Sequence, residues 1–397
     1  MAARENSSPS CLYDALVVGA GIQGSFAAYH LAKRGQKTLL LEQFPLPHTR
    51  GSSHGQSRII RSAYPQDYYT AMMKEAYRLW AELEAEANTS LQRPTTMLIL
   101  GRQETPAFQS YWQTMQRHHV PSEVFTPQAL ARKYPDIHPH GGVMAVADLT
   151  AGVLFPDKAL RAVQDQFQRS GGTLRDAEKV LSILPGNVIT VTTNRGEYQA
   201  KRLVVTAGAW TSHLLAPLGL RLPLQPLRIQ VCYWRAKGPS AHSHLEKFPC
   251  FLGINLNQEV HDIYGLPSGE YPGLVKICYH HGSPVDPDKP DQLDQASAVP
   301  DLQILQNFVK SYLPGLDPEP AVQERCLYTN TPDADFILDR HPRFRNIVIG
   351  AGFSGHGFKF APVIGEILCK LSLEEEPPYN LAPFQISRFP ASPKAAL

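Results

Sequence analysis

Three groups of residues in this sequence have types and spacings that suit chemistry. Glycines stand at GxGxxG spacing in residues 19–24, directly after an apolar run. A polar loop, GSSHGQSRIIRSAY, occupies residues 51–64, and KICYHHG places Lys276 and His280 four residues apart. Backbone N–H groups at such glycine turns bind phosphates, and arginine forks bind carboxylates or phosphates. A lysine beside a histidine can bind a carboxylate or manage a proton.

The glycine turn fits a nucleotide-binding pattern. Gly19 permits a tight turn, Gly21 lets the backbone approach a pyrophosphate, and Gly24 lets a helix pack closely on a strand. The apolar run before the turn, the helix-compatible segment after it and a second apolar run ending in Glu42 predict a β-turn-α-β unit. The Glu42 carboxylate then stands where a ribose hydroxyl donates, which argues against NADP and leaves FAD and NAD as alternatives.

The basic side chains are less specific by themselves. The polar loop carries Ser53, His54, Arg58 and Arg61, which suit a phosphate, a ribitol or an anionic substrate. A solvated surface loop is an equal alternative. On an extended strand, the lysine and histidine of KICYHHG would share one face because they are an even number of residues apart. Exposed lysine and histidine are common on strands, so a structural role is the more frequent explanation for that pair.

A second glycine-rich segment, NIVIGAGFSGHGFK, occupies residues 346–359. It follows the order of strand, glycine turn and helix start, and it contains Gly352, Gly355 and Lys359. Such a turn is a second helix start suited to an anion. With the strand and small-residue turn of RLVVTAGAW at residues 202–210, it predicts that the two ends of the chain build one domain.

Hydrophobic periodicity predicts the elements that position these residues. A helix is expected at residues 65–86, with an apolar face formed by Tyr69, Met72, Met73, Ala76, Leu79, Trp80 and Leu83. Further helices are expected at 156–169 and 360–371. Strands are expected at 96–100, 153–155, 174–180, 188–193, 229–234, 261–264, 275–281 and 336–339.

The predicted fold class is α/β, with a discontinuous Rossmann-like nucleotide-binding domain and an inserted, largely antiparallel β-sheet domain for the substrate. We assign residues 1–90, 150–220 and 324–397 to the nucleotide-binding domain, and 91–149 and 221–323 to the substrate domain. A length of 397 residues suits two domains.

Composition excludes several classes of protein. The net charge is +2, no basic tract is present, and the longest apolar runs have only the length of a strand, which disfavours nucleic-acid binding and membrane insertion. Residues 1–6 lack the apolar core of a signal peptide, so we expect a soluble intracellular protein. The six cysteines show no CxxC or His-rich spacing, which predicts free thiols and no metal site. Each cysteine, taken alone, suits a small buried apolar position.

Together these motifs make the chain resemble the monomeric sarcosine oxidase family, within the D-amino-acid-oxidase-like flavoproteins. The resemblance rests on segments spread over nearly the whole chain, namely GAGIQGS, GSSHGQSRIIR, TAGAW, KICYHHG, CLYTNTPD and GAGFSGHGFK. It implies FAD as the dinucleotide. It also implies a covalent thioether between the flavin 8α-methyl group and the cysteine of CLYTNTPD, Cys326.

The resemblance further implies roles for the basic side chains. Arg61 and Lys359 match the cations that bind the substrate carboxylate, His280 matches an active-site histidine, and Arg58 matches an arginine near the flavin. Lys276 matches the lysine that assists oxygen, because a fixed ammonium stabilises the negative charge that O2 acquires on reduction. Tyr264 and Tyr328 are expected to wall the pocket. The residues expected to bind FAD are Gly19, Gly21, Gly24, Glu42, Ser53, His54, Arg58, Cys326, Gly352, Gly355 and Lys359.

The implied reaction is the oxidation of a secondary amino acid, sarcosine, L-pipecolate or L-proline, to an imine, with O2 reduced to hydrogen peroxide. A dehydrogenase that passes electrons to a protein acceptor is the alternative. We expect a monomer with no nucleic-acid or membrane partner, in the peroxisome or, failing that, the cytosol. Residues 395–397, Ala-Ala-Leu, match a peroxisomal import signal only in the small residue and the final leucine, so an import receptor is a weaker expectation.

Overall fold

The computed structural model describes residues 12–238, 248–289 and 299–390. Within them lie eight α-helices: α1 Ile22–Lys33, α2 Asp67–Ala87, α3 Pro106–Arg117, α4 Pro127–Lys133, α5 Pro156–Arg169, α6 Thr211–Leu215, α7 Val299–Tyr312 and α8 Ala361–Ser372. None of the described helices is both long and apolar enough to cross a membrane.

The same residues form twenty β-strands. The first ten are β1 Leu12–Val18, β2 Thr38–Leu41, β3 Arg58–Ile60, β4 Gln92–Pro94, β5 Met97–Arg102, β6 Ser122–Phe125, β7 Val143–Asp148, β8 Gly152–Leu154, β9 Thr173–Arg175 and β10 Val180–Leu184. The others are β11 Ile189–Thr193, β12 Glu197–Val205, β13 Gln225–Arg235, β14 Cys250–Gly253, β15 Ile263–Pro267, β16 Leu274–Tyr279, β17 Ser283–Pro284, β18 Val322–Asn330, β19 Ile337–Arg340 and β20 Ile347–Ala351.

The chain divides into two compact units. Unit 1 comprises Met1–Ser53, Leu160–Gln225 and Thr329–Leu397, and unit 2 comprises His54–Ala159 and Pro226–Tyr328. The predicted domain ranges differ from this division mainly at residues 54–90 and 150–159, which the sequence assigns to nucleotide binding and the structure groups with unit 2. The assignment of functions to the ranges stays a prediction.

Unit 1 is built on a parallel sheet. Strands β9, β2, β1, β12 and β20 lie side by side, each parallel to its neighbours. Strand β11 pairs antiparallel with the first half of β12, and β10 pairs antiparallel with β11. At the other side of the sheet, β19 pairs antiparallel with β20. Because β1 comes from the start of the chain and β20 from near its end, the prediction that both ends build one domain is confirmed.

Close helix packing completes the centre of unit 1. Helix α1 packs on α8, and a Cβ placed on Gly365 would come within 2.5 Å of the Cβ of Phe26. Only glycine permits this approach. Strands β2 and β20 are buried throughout, β1 is buried at most positions, and β12 is buried at its last three residues, Leu203 to Val205, as expected for the centre of a parallel sheet covered on both faces.

Unit 2 contains a nine-stranded sheet in the order β17-β13-β16-β15-β14-β5-β7-β6, with β18 also paired to β13. Among the strand pairs of this sheet whose direction is established, β14 and β5 are parallel and all the others are antiparallel. The predicted antiparallel domain is therefore confirmed. A small second sheet, β3-β8-β4, carries the arginine loop.

Most predicted elements are present with shifted ends. Helix α5 has the predicted bounds, and α2 buries all seven apolar residues of its predicted face, with Trp80 fully enclosed. The predicted strand at 174–180 is wrong, since it is two strands, β9 and β10. Between them, Asp176 accepts a hydrogen bond from the Leu46 backbone at 2.7 Å, and Ala177 has φ +49°. Strand β15 runs three residues beyond the predicted 261–264, and β16 ends two residues before the predicted 281.

Candidate active site

The GxGxxG turn of unit 1 has the geometry that the sequence predicts. Gly19 has φ +97°, and a Cβ there would lie 2.6 Å from the Thr206 carbonyl oxygen. A Cβ on Gly24 would lie only 2.0 Å from the Gly19 carbonyl oxygen. Gly21 precedes α1 in an extended conformation, and a Cβ there would meet only the Ser53 hydroxyl, at 3.1 Å. The first and third glycines are therefore required by packing, and the second keeps the helix start accessible.

The polar groups around this turn fit a dinucleotide. Glu42 is buried; its Oε2 accepts from the Ala20 N–H at 3.0 Å and its Oε1 from the Phe44 N–H at 3.1 Å. The Ser53 hydroxyl accepts from the Ile22 N–H at 3.0 Å, at the first residue of α1. A carboxylate has about four acceptor positions, so Glu42 keeps capacity for a ribose hydroxyl. The Oε1 atom of Gln23 is buried without a hydrogen-bond partner among the described residues, which also fits a bound polar group.

The second glycine segment of unit 1 is also a constrained turn. Gly352 and Gly355 have φ of +66° and +78°, and a Cβ on Gly352 would come within 2.4 Å of the Thr331 side chain. Lys359 is buried, with its Nζ donating to the His356 carbonyl at 3.0 Å. The residues present thus fit FAD binding in unit 1, where the two glycine turns and Glu42 would hold the dinucleotide.

In unit 2, Arg61 is fixed in a buried aromatic setting. Its guanidinium lies 4.2 Å from the ring centre of Tyr64 and 5.6 Å from that of Tyr111, and it donates to the Ala63 carbonyl. Burial acts against its charge, but interactions with Tyr64, Tyr111 and Asp262 together outweigh burial and raise the pKa of Arg61. A buried, oriented guanidinium of this kind is suited to a carboxylate.

The loop that carries Arg61 is held by a carboxylate. Asp148, at the end of β7, is fully buried, and its Oδ2 accepts from the N–H groups of Ser62 and Ala63 at 2.7 and 2.9 Å. Its Oδ1 accepts from the Thr150 hydroxyl at 2.6 Å. Buried backbone N–H groups thereby find partners, and the direction of the chain after Arg61 is set by a residue on another strand.

Arg58 lies beside the predicted flavin cysteine. Its guanidinium donates to the carbonyls of His54 and Ser57 at 2.7 and 2.8 Å, and one of its nitrogens lies 3.9 Å from the Cys326 sulfur. Burial acts against the Arg58 charge, but attraction to Cys326 is foremost among the effects that together raise the pKa of Arg58. The structure thus brings together two residues that stand 268 positions apart and that were both predicted to contact the cofactor.

Lys276 is buried and ion-paired. Its Nζ lies 3.0 Å from Glu270 Oε1, and the two side chains are only 5% and 8% exposed. Ser57 lies close as well, with its backbone oxygen and hydroxyl each 3.5 Å from Nζ. A lysine on a strand is most often an exposed structural side chain. That explanation is wrong for Lys276, because its side chain is buried. A buried charge of this kind marks a candidate functional group.

Three rings gather near the end of β16. The hydroxyls of Tyr264 and Tyr328 are 3.1 Å apart, and the His280 ring lies 5.9 and 5.4 Å from the two tyrosine rings. Burial raises the pKa of both tyrosines, so both stay neutral at physiological pH. His280 follows the last residue of β16, and Lys276 lies 5.5 Å from the Tyr233 ring of the same apolar cluster. Both basic side chains therefore lie near one aromatic cluster, although His280 lies just beyond the strand on which the sequence places it.

Two residues of this region were not predicted. Glu270 is one; its Oε1 and Oε2 accept from the Ser57 hydroxyl, and its Oε1 also accepts from the Gln56 N–H at 3.1 Å. Asp262 is the other; its carbonyl accepts from the His280 N–H at 2.8 Å, and burial raises the pKa of its carboxyl to about 6 although Arg61 opposes this. Neither residue stands in a recognisable motif, so only the position of Asp262 in the predicted strand at 261–264 gave any signal.

The predicted cysteine state agrees with the structure where it is described. Cys232, Cys250, Cys278, Cys326 and Cys369 are buried free thiols, and Cys11 lies outside the described residues. Among described side chains, no group of three or more histidines, cysteines and carboxylates is arranged to hold a metal.

Comparisons with known proteins agree with the FAD binding that the geometry of unit 1 indicates. Residues 14–371 match the family model of FAD dependent oxidoreductases. The chain is 56% identical to the peroxisomal sarcosine oxidase of Mus musculus and 54% to that of Homo sapiens, in each case over 97% of this chain and 98% of the relative. It is also 35% identical to a monomeric sarcosine oxidase from Bacillus sp., over 95% of this chain and 97% of that protein.

Solved structures support the fold. NikD, an unusual amino acid oxidase essential for nikkomycin biosynthesis, superposes with a TM-score of 0.80 at 24% identity, over 94% of this chain and 97% of that chain. L-proline dehydrogenase from P. horikoshii superposes with a TM-score of 0.78 at 22% identity, with the same coverage of both chains. The fold, the glycine turns and the identity to sarcosine oxidases agree, and the chain therefore belongs to the FAD-dependent oxidoreductase family, as an FAD-dependent amine oxidase homologous to the sarcosine oxidases.

Proposed function

We propose that this protein oxidises sarcosine and related secondary amino acids with O2. For sarcosine, the balanced reaction consumes O2 and water and yields glycine, formaldehyde and hydrogen peroxide. The observation that carries the proposal is the identity of 54–56% to proteins named sarcosine oxidase over nearly the full length of both chains. The buried cations of unit 2 support it, because an amino acid oxidase needs a carboxylate site and a positive charge for oxygen.

Each of these cations has a separate task in the proposal. Arg61 binds the substrate carboxylate through its oriented guanidinium, which fixes the amine and the C–H bond to be broken. The resemblance also implies a substrate-binding role for Lys359, a buried lysine of unit 1. The walls of the amine pocket are Tyr264, Tyr328 and His280, which present neutral hydroxyls and an imidazole to the substrate.

FAD, when bound, supplies the acceptor for the two electrons that leave the substrate. Lys276 acts in the second half of the reaction, in which O2 gains electrons. Negative charge then develops on oxygen, and a fixed ammonium in a water-poor setting stabilises it. Because Lys276 is 4% exposed, little solvent screens its charge.

The measurement that tests the acceptor is the ratio of peroxide formed to substrate consumed. We expect about one peroxide for each sarcosine oxidised, as the balanced reaction requires. A ratio far below one, with activity restored by an artificial electron acceptor, would favour the dehydrogenase instead. Parallel assays with L-pipecolate and L-proline rank the substrates. Absence of flavin bleaching under anaerobic sarcosine would refute the proposed substrate.

We also propose that FAD is attached covalently to Cys326. The position of Cys326 supports this, because its sulfur lies 3.9 Å from the guanidinium of Arg58, which the family resemblance places near the flavin. Acid precipitation should leave the yellow colour in the protein pellet, whereas Cys326→Ser should release it into the supernatant. Cys369→Ser, a change at a buried thiol of unit 1, serves as the control and should retain the colour. Release of flavin from the unaltered protein would contradict the linkage.

For localisation we propose the peroxisome, supported by the names of the relatives at 54–56% identity. Residues 395–397 of the weak import signal lie outside the described residues. A fluorescent fusion that keeps the C-terminus free should enter peroxisomes, and deletion of the last three residues should return it to the cytosol. Sedimentation of the purified protein tests the proposed monomer.

A further inference from the structure

Glu270 is a buried carboxylate that contacts Lys276, Gln56 and Ser57. One oxygen lies 3.0 Å from Lys276 Nζ and also accepts from the Gln56 N–H at 3.1 Å. The Ser57 hydroxyl lies 2.9 and 2.7 Å from the two carboxylate oxygens. With only 8% of its side chain exposed, Glu270 cannot exchange these contacts for water.

We propose that Glu270 is a positioning residue for Lys276, and that with Ser57 it holds the ammonium charged and in one place while O2 is reduced. This inference rests on the proposed function, because it requires O2 as the acceptor. O2 takes two electrons that originate from the substrate, and two protons, to become hydrogen peroxide. Glu270 acts through Lys276 and does not contact oxygen.

The physical reason is the cost of an unpaired buried charge. A lysine removed from water without a partner loses its proton, because the interior does not solvate an ammonium. Attraction to Lys276 and the hydrogen bonds from Ser57 outweigh burial and lower the pKa of Glu270 to about 2. The carboxylate is therefore ionised at every pH at which the enzyme would be assayed, and it supplies the counter-charge that Lys276 needs.

Other ionisable groups around the pair keep their charge near neutral pH. Arg58, Tyr233 and Tyr271 interact electrostatically with Glu270, and Cys278 interacts with Lys276. The pKa of Arg58 is raised, so it stays cationic, and the pKa values of the two tyrosines and the thiol are raised, so they stay neutral. The ion pair of Lys276 and Glu270 is therefore surrounded by groups that do not change charge near neutral pH.

The test separates the two halves of the reaction in the FAD-loaded enzyme. For Glu270→Gln we expect reduction by anaerobic sarcosine to change by less than about twofold, and reoxidation by O2 to slow by about tenfold or more at pH 8. Glu270→Asp, which keeps the charge, should restore most of the rate at pH 8.

Glu324→Gln is the matched control. Glu324 accepts from the hydroxyls of Tyr233 and Tyr271 at 3.0 and 2.6 Å, so it lies in the same region and is bonded to tyrosines rather than to Lys276. Its variant should reoxidise at the rate of the unaltered enzyme. Equal slowing in both glutamate variants would show a general structural effect and would overturn the inference.

Thermal unfolding gives a measurement independent of turnover. Glu270→Gln should lower the melting temperature at pH 8, and the double variant Glu270→Gln, Lys276→Met should lose less, because it has no unpaired buried charge. Additive losses, or an unchanged reoxidation rate in Glu270→Gln, would overturn the inference and leave the proposed function intact. Failure of the proposed function is seen separately, as absence of peroxide from the unaltered enzyme with sarcosine. If Glu270→Gln does not fold, reoxidation of the double variant is compared with that of Lys276→Met: equal rates support a role of Glu270 through Lys276, and further slowing in the double variant would overturn it.

Discussion

Replacing Gly24 by alanine tests the reasoning about the nucleotide turn. Gly24 is the third residue of α1, where alanine would normally stabilise the helix by about 1 kcal/mol relative to glycine. Here the new Cβ would lie 2.0 Å from the Gly19 carbonyl oxygen and 2.4 Å from the Thr206 hydroxyl. Real Cβ atoms do not approach closer than 3.0 Å, so the helix start must move by about 1 Å.

The size of the effect follows from which atoms are in the way. The nearest atom is backbone of the turn itself, so no side-chain rotation relieves the contact. Overpacking of a rigid interior typically costs about 1–3 kcal/mol, and occasionally more. We place Gly24→Ala at the upper end, with a net loss of about 2 kcal/mol or more after the helix gain is subtracted.

Two other glycines make the comparison specific. Gly51 has open space around its Cβ direction, so Gly51→Ala should change stability by less than about 0.5 kcal/mol. In Gly21→Ala the new Cβ would contact only the Ser53 hydroxyl, at 3.1 Å, so the variant should fold normally. It should retain less FAD, because the methyl group projects where backbone approaches the pyrophosphate.

The assay is denaturant unfolding followed by circular dichroism, together with the flavin to protein absorbance ratio of each purified variant. Gly24→Ala should lose both stability and flavin, and Gly21→Ala should lose flavin alone. If Gly24→Ala proves as stable as Gly51→Ala, the packing role of the third glycine is refuted. If Gly21→Ala keeps full flavin, the approach of FAD to this turn is refuted.

Three further predictions concern charged groups. Arg61→Met should raise the KM for sarcosine by about 100-fold, since a charged hydrogen-bond partner of the carboxylate is lost, and Arg61→Lys should recover part of it in steady-state assays. Asp262, with a pKa of about 6, gains charge near Arg61 as pH rises, so Asp262→Asn should improve kcat/KM several-fold above pH 7 and little below pH 5; an equal ratio at both pH values would contradict this. Burial lowers the pKa of His30 to about 4, so between about pH 6.5 and 4 the unfolded chain binds a proton that the folded one does not. Stability should therefore fall by roughly 1–3 kcal/mol as pH drops through that window, and unfolding of His30→Gln at pH 7 and 5 should show a smaller fall.

The nucleotide-binding unit could be predicted from sequence because its determinants are local. Gly19, Gly21 and Gly24 act within one turn, and Glu42 follows one strand later. The same is true of α2 in unit 2, whose buried face is identified by an apolar stripe at helical spacing. Each pattern is set by backbone geometry over a few residues, so spacing alone carries it. The break between β9 and β10 was missed because a distant backbone group, the Leu46 N–H, is bonded to Asp176.

Tertiary structure alone decided how the basic residues are used. Ser57 and Glu270 are 213 positions apart, and Asp148 holds the chain after Arg61 from 86 positions away. Sheet register and loop packing bring these carboxylates to their partners. The hydrophobic periodicity of the sequence does not indicate such long-range pairings. The sequence by itself determined that Lys276 is a cation on a strand of a largely antiparallel domain. Only the folded chain determined that Lys276 is buried. A charge that is removed from water requires a counter-charge, and Glu270 supplies it.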